Sequence, residues 1–346
     1  SYFMNKIGLA LVSVTALIAV GCGAGKSEDK KFGLTELYFG SYPQSEVKDS
    51  DLREKLTELA GELPEEGKEK CGKWQSYEYR ISGEVAHFMW HAEVEEDGAR
   101  YRGVYFTSYR PCYTSNESLE DNTYQIDNGY TVNNVYWFKY EPILWDILEK
   151  DGDEEAFVMS RRVLDSQPFY KSANREPHEA EGILVYENNW AHSDLRKFAN
   201  GDFFDAAFTA EEKPAILSTT IDNSEASTGF VPNEYACIDT TDRIFPLSYK
   251  EATNPEYGFN EYNTTYDIAR RKHASDYAKC MGVVVYYADE SDYDDLSVWW
   301  LRSPDGAEPN YVGDVYYVGA IYAYATNFTS LGFLPAARFS LDKAQG

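Results

Sequence analysis

Residues 135–165, VYWFKYEPILWDILEKDGDEEAFVMSRRVLD, constrain the fold more than any other stretch. Aromatic and β-branched residues crowd both sides of an acidic, glycine-bearing DGDEE. The pattern predicts two or three strands joined by a turn at DGDEE. Other segments repeat the theme. HFMWHAEVEEDGARYRGVYFTSY (87–109) has strand-forming flanks around Asp97-Gly98, a hairpin signal. VVVYY (283–287), VWWLRSP (298–304), YVGDVYYVGAIYAYATNF (311–328) and the closing ARFSL (337–341) also read as strands.

Helical signals are shorter. Leu52, Leu56, Leu59 and Leu63 recur at helical spacing, with Ser50 to cap the helix and Pro64 to stop it. Ser193 caps a helix carrying Leu195 and Phe198, with Asn200-Gly201 as its expected exit. Thr209 with Glu212, and Ser248 with Glu251, match the capping box. A further helix is expected over 266–279, and polar loops over 114–133 and 222–236. There is no alternating βαβ pattern, which disfavours a Rossmann or barrel fold. No 20–50-residue repeat is present, which disfavours a solenoid or propeller. The class expected is α+β.

Net charge is −26, from 58 acidic and 32 basic residues, with no basic stripe. Phosphate neutralisation needs clustered Lys and Arg, so nucleic acid is not an expected partner. Tyrosine is abundant, 29 in 346 residues. Its amphipathic ring suits partly wet surfaces, and equally a tyrosine-rich β fold.

Lys6 precedes an uncharged run, Ile7 to Val20, too short to span a bilayer and suited to the core of a secretory signal. The run ends Ala19-Val20-Gly21-Cys22, which resembles the bacterial lipobox, with Ala19 where Leu is usual. The resemblance implies cleavage before Cys22 and acylation there, hence export and a lipid anchor, at the outer-membrane cell surface. The chain then divides into a signal (1–21), a small polar tether (22–33), an N-terminal elaboration (34–133) and a core (134–346). GCGAGKS is not a phosphate-binding loop, because that motif needs Gly where Val20 stands.

Chemistry-bearing patterns are few. Cys71, Cys112, Cys237 and Cys280 could pair in three ways or stay as buried free thiols, and none forms C-x-x-C. His87 and His91 lie about 13 Å apart on a strand, too far for one ion. The acidic run DESDYDD (289–295) lacks the calcium-loop spacing. Neither H-E-x-x-H nor G-x-S-x-G occurs. Acid pairs such as Glu95/Glu96 and Asp294/Asp295 are expected by chance at this acidity. No metal, cofactor or catalytic residue is expected.

FGSYPQ (39–44), YEPILWDIL (140–148), SRRVLDSQPFY (160–170), SDLRKFANGDFFDAAFTAEEKPAI (193–216), DRIFPLSYKEA (242–252) and WWLRSP (299–304) carry a resemblance. They are similar, in the same order, to a family of bacterial exported proteins known as a domain of unknown function, often found on lipoproteins. The resemblance spans most of Leu34 to Leu341, more loosely over 48–133. One departure is Leu334, where the family's closing G-x-R-P-A-L has Arg. The fold implied is C-type-lectin-like, of the formylglycine-generating-enzyme subtype, with inserts. Activity in those enzymes rests on a cysteine pair that does not map onto this chain, so the resemblance implies a non-enzymatic scaffold.

The lipobox, WWLRSP, the tyrosine-rich stretch and the tail GFLPAARFSL together resemble the variable proteins of diversity-generating retroelements, treponemal surface lipoproteins among them. In those systems a reverse transcriptase rewrites the C-terminal segment at adenines. Asn-type codons can then become Tyr, Asp, Ser, Thr, Ala, Gly, Val, Ile or Phe, but not Lys, Glu, Gln, Met or Trp. Residues 310–328 contain none of those five. A variable region at about 305–330 is therefore expected.

Tyrosine among small residues is also the composition of antibody paratopes. On a strand, successive side chains alternate faces. Val315, Ile321 and Leu331 are expected inward, which turns Tyr322 and Tyr324 to the ligand side. Asp305, Asn310, Tyr311, Asp314, Tyr316, Tyr317 and Asn327 complete the expected contact set. Trp299, Trp300 and Arg302 are expected as support, with Arg302 satisfying buried carbonyls or a carboxylate. The function expected is display of a diversified surface, by a monomer, to protein or glycan ligands on another cell or host. The alternatives are an invariant envelope glycan-binding protein and an exported hydrolase or oxidase.

Overall fold

The computed structural model describes residues 35–81, 84–110, 123–171, 177–263, 266–286 and 295–344. The expected signal and tether, Cys22, Cys112 and most of DESDYDD lie outside these residues. The chain is α+β, with many strands and short helices.

The 135–165 stretch builds the frame. It forms strands Val135–Asp151 and Glu155–Ser160, with Gly152 at positive φ (58°) in the connecting turn, and then a short strand, Asp165–Ser166. Val135–Asp151 is paired along both edges. Ala99–Phe106 and then Glu155–Ser160 run along one edge, and Glu36–Glu46 along the other. The eight-stranded sheet is completed by Lys70–Cys71, Trp74–Ser76, Met89–Glu96 and Ala336–Ser340. The Asp97-Gly98 hairpin forms as expected, with both residues at positive φ (47° and 74°), the geometry of a type I′ turn.

One long strand thus joins two cores. A small one packs Leu56, Trp74, Trp90, Val94 and Trp137 beneath the helix Ser50–Ala60. The large one takes in the inner face of the sheet and nearly all of the C-terminal half. The helix is capped by Asp49 rather than Ser50. Asp49 stays extended and its carboxylate accepts from the Leu52 amide at 2.8 Å. Gly61 ends the helix before Pro64, so Leu59 and Leu63 remain exposed.

Three helical expectations change. Ser193 caps Asp194–Phe198, but Asn200-Gly201 is no exit. The chain continues through a wide π turn, Ala199–Phe203, into Phe204–Ala207. Tertiary contacts hold that turn: the Asn200 side chain accepts from the amides of Arg243 (2.9 Å) and Ile244 (3.1 Å) and donates to the Ile244 carbonyl (2.9 Å). The segment 266–279 is not one helix. It divides into a 3-10 turn (Ile268–Arg270), a strand (Lys272–His273) and a helix (Asp276–Cys280), which Ser275 caps from within. Within 114–133, residues Thr123–Asp127 are helical. Both capping boxes form. The one at Thr209 precedes only a 3-10 turn, Lys213–Ala215, and the one at Ser248 starts the four-residue helix Tyr249–Ala252.

A second, five-stranded sheet runs in the order Asp165–Ser166, Gly332–Phe333, Trp299–Pro304, Tyr311–Val315, Ile321–Ala325. Its last hairpin forms the outer edge. Among the described residues no helix is long and apolar enough to cross a membrane.

A tyrosine surface on a buried strand

WWLRSP is the base of the site, and all of Trp299–Pro304 is buried. The Trp299 indole donates to the Arg270 carbonyl (3.1 Å) and the Trp300 indole to the Gln167 carbonyl (2.7 Å). Arg302, 2% exposed, meets Glu251 fork to fork at 2.8 Å on both arms. Its remaining donors reach Asn223 Oδ1 and the carbonyls of Pro246 and Asp222 at 2.9–3.0 Å. It thus satisfies both a carboxylate and buried carbonyls. Glu251 also closes the Ser248 capping box, so one ion pair ties helix to strand.

The hairpin Tyr311–Val315/Ile321–Ala325 stands on this base. Val315 pairs with Ile321, and both are buried together with Leu331, as their spacing predicted. The opposite face carries Val312 across from Tyr324 and Asp314 across from Tyr322. Tyr322 (53% exposed), Tyr324 (42%) and Tyr316 (39%) face solvent. The rings form a chain. Tyr322 meets Tyr316 edge to face at 5.7 Å, Tyr316 touches Tyr317 at 4.3 Å, and Tyr317 stacks on Tyr286 at 4.2 Å and 5°. Tyr324 packs separately on Phe328 at 4.7 Å.

The hairpin tip is held from below. Gly319 has φ +92°, and a Cβ there would lie 2.2 Å from the Asp267 carbonyl oxygen, so no side chain fits. Arg270, fully buried, donates to the carbonyls of Gly319 (2.6 Å), Asn260 (2.8 Å) and Tyr262 (2.9 Å). Ile321 donates its amide to the Asn263 carbonyl at 2.8 Å. This draws the 260–270 segment against the hairpin, where Tyr262, Tyr266 and Ile268 are among the most exposed apolar side chains.

The expected contact set divides. Tyr316, Tyr317 and Tyr322 come together on the outside, Tyr324 is exposed beside Phe328, and Tyr311 is half-buried. Asp305 is half-buried and folds back to accept from the amides of Ala307 and Glu308. Asn310, Asp314 and Asn327 are buried and do not join the outer surface. Asp314 lies near the turn, between its strand partners Trp300 and Tyr322; for Asn310 and Asn327 the cause is the segment 187–189. Asn188 donates to the carbonyls of Glu308 (3.0 Å) and Tyr311 (3.1 Å), and Thr326 donates to Glu187 at 3.2 Å. That segment covers the end of the hairpin that strand alternation leaves open. Burial pushes the Asp314 carboxyl up to about 8, and its Oδ1 finds no hydrogen-bond partner.

Tyr286, Tyr266 and Arg270 are the residues that sequence reasoning missed. Tyr286 lies in VVVYY, read only as a strand, and the other two lie in the stretch expected to be helical. Cys71, Cys237 and Cys280 are free thiols, and burial raises the last two above the ordinary thiol range. His87 bonds Ser76 (2.8 Å) while His91 packs on Tyr77 (4.6 Å), so the two do not converge. No metal-ligating group of three such side chains occurs among the described residues.

Comparison with curated proteins and with solved structures returns no match. A family model does match over residues 153–341, more than half of the chain and the part that builds both the WWLRSP strand and the tyrosine hairpin. The chain belongs to the family described as a domain of unknown function (DUF6273).

Proposed function

We propose that the protein is a surface-displayed, non-enzymatic ligand-binding lipoprotein, anchored through Cys22, whose tyrosine-rich C-terminal segment is diversified by a retroelement. Its ligands are proteins or glycans on another cell or host. The observation that carries this reading is the chain of rings from Tyr322 to Tyr286 on the outer side of a hairpin that stands on a fully buried strand. Rigid aromatic contacts lose little rotamer entropy on binding, which is why binding surfaces favour them. The buried Trp299, Trp300 and Arg302 keep the frame constant while outer side chains are exchanged. The absence of Lys, Glu, Gln, Met and Trp from 310–328 supports rewriting at adenines.

The finer fold in this reading is C-type-lectin-like, of the formylglycine-generating-enzyme subtype. Support comes from the placement of both Glu36–Glu46 and Ala336–Ser340 in the main sheet, with the WWLRSP hairpin in a smaller one.

The test replaces Tyr316, Tyr317, Tyr322 and Tyr324 together by Ala. The variant should keep its melting temperature within a few degrees and lose binding to whichever members of an extracellular-matrix protein and glycan panel the parent chain binds. Unfolding of the variant would make these residues core and sink the site. Separately, the flanking DNA should hold a reverse transcriptase and a near-identical repeat of the 3′ end. Without them the invariant glycan-binding alternative takes over.

A further inference from the structure

A cavity of about 650 Å³ lies between the N-terminal elaboration and the family-matched region, away from the tyrosine surface. Tyr42, Gln75, Tyr77, His91 and Arg102 line one side. Asp165, Gln167, Phe198, Gly201, Asp202 and Tyr277 line the other. The first group precedes residue 153, so the N-terminal strands and the family-matched region each supply one side of the cavity.

Its floor is a closed network. Arg102 donates to Glu93 (2.7 Å) and to the Tyr277 hydroxyl (3.1 Å), which bonds the Tyr77 hydroxyl at 2.6 Å. Tyr42 donates to Asp165 (2.6 Å), whose other oxygen accepts from the Ser166 amide (2.7 Å) and Gln167 (3.2 Å). His91 packs its ring on Tyr77 at the wall. His91 Nδ1 is buried with no hydrogen-bond partner, and Glu93 at 3.9 Å is too far to serve. Burial and the Arg102 charge hold that imidazole down to about 4, so it is neutral at physiological pH.

We infer that this cavity is a binding site for a neutral saccharide of one or two rings. The volume lies within the roughly 300–1,000 Å³ of small-molecule sites. Asp165, Asp194, Asp202, Asp205 and Glu78 outnumber Arg102, Lys171 and Lys197 around it, and Arg102 is already paired, so a phosphate-bearing ligand is repelled. An apolar ligand would strip water from carboxylates and amides and give nothing back. A sugar offers C–H faces to the tyrosine and phenylalanine rings and hydroxyls to the carboxylates and the amides.

Titration calorimetry with chitobiose, cellobiose, maltose and galactose tests the site, with inorganic phosphate as the anionic probe. At least one sugar should bind with Kd of about 1 mM or tighter, and phosphate should not. Gly201→Phe should weaken sugar binding at least about tenfold. A side chain there meets nothing within 4 Å and projects from the cavity wall. Asp202→Ala, which removes an exposed carboxylate from the wall, should weaken it by a similar factor and serves if Gly201→Phe fails to fold. Tyr322→Ala should leave sugar binding intact, so this result and that of the tyrosine surface stand or fall separately. Binding of phosphate but no sugar, no sugar binding at all, or sugar binding unchanged in Asp202→Ala would overturn the proposal. So would sugar binding lost in Tyr322→Ala.

Discussion

Tyr42, Tyr77, Tyr140 and Tyr277 surround Arg102 inside the molecule, while Tyr316, Tyr317, Tyr322 and Tyr324 stand on the outer face of the 311–325 hairpin. Inside, each hydroxyl has a partner: Asp165 for Tyr42, Glu93 for Tyr140, and each other for Tyr77 and Tyr277. Burial raises all four above the ordinary phenol range, Tyr140 to about 12. Outside, the rings touch one another, and Tyr316, Tyr322 and Tyr324 are exposed. A phenol can be buried only where its oxygen is answered, and it can be displayed only where a rigid base carries it. The interior cluster is therefore specified atom by atom, and the outer one is replaceable.

Arg102→Met attacks the interior cluster hardest. It takes the buried cation away from Glu93 and one donor from the Tyr277 hydroxyl, and urea denaturation should show a loss of about 3–5 kcal/mol. A loss near that of an exposed tyrosine, under about 0.5 kcal/mol, would erase the distinction between the clusters.

Asp314 is the exception that sharpens it, a buried unanswered carboxyl beside the displayed Tyr322. Its folded pKa, about 8, lies above the ordinary 3.8. The native state therefore favours the protonated acid. The stability this gives is present below about pH 4 and is lost as pH rises through 8. Asp314→Asn does not titrate, so its stability relative to the parent should rise between pH 5 and pH 8, by about 4 kcal/mol at most. Parallel stability profiles over that range would mean that the carboxyl is answered after all.

Tyr77→Phe should cost about 1 kcal/mol, the net worth of one hydrogen bond. A double-mutant cycle with Tyr277→Phe should show coupling between the two, whereas Tyr316→Phe with Tyr322→Phe should show almost none.

Much of the frame was legible along the chain. Asp97-Gly98 announced its hairpin because both positions need positive φ, and few residue pairs supply it. Val315 and Ile321 were legible as inward anchors because strand alternation is a local rule. The carbonyl-and-carboxylate role of Arg302 followed from its place in an apolar strand. What was not legible depends on distant segments. The turn at Asn200 continues because residues 243–244 bond its side chain. Asn310 and Asn327 went inside because residues 187–189 cover their end of the hairpin, and Asp314 because its strand lies between Trp300 and Tyr322.

The sequence by itself determined the α+β class, the hairpins, the inward anchors and the tyrosine-rich edge, because periodicity, turn chemistry and composition act over a few neighbouring residues. Only the tertiary structure decided which polar residues are exposed, how Arg270 pins the hairpin tip, and that a polar cavity opens between the N-terminal strands and the family-matched region. Those outcomes depend on which remote surfaces meet, and burial is a property of both surfaces at once.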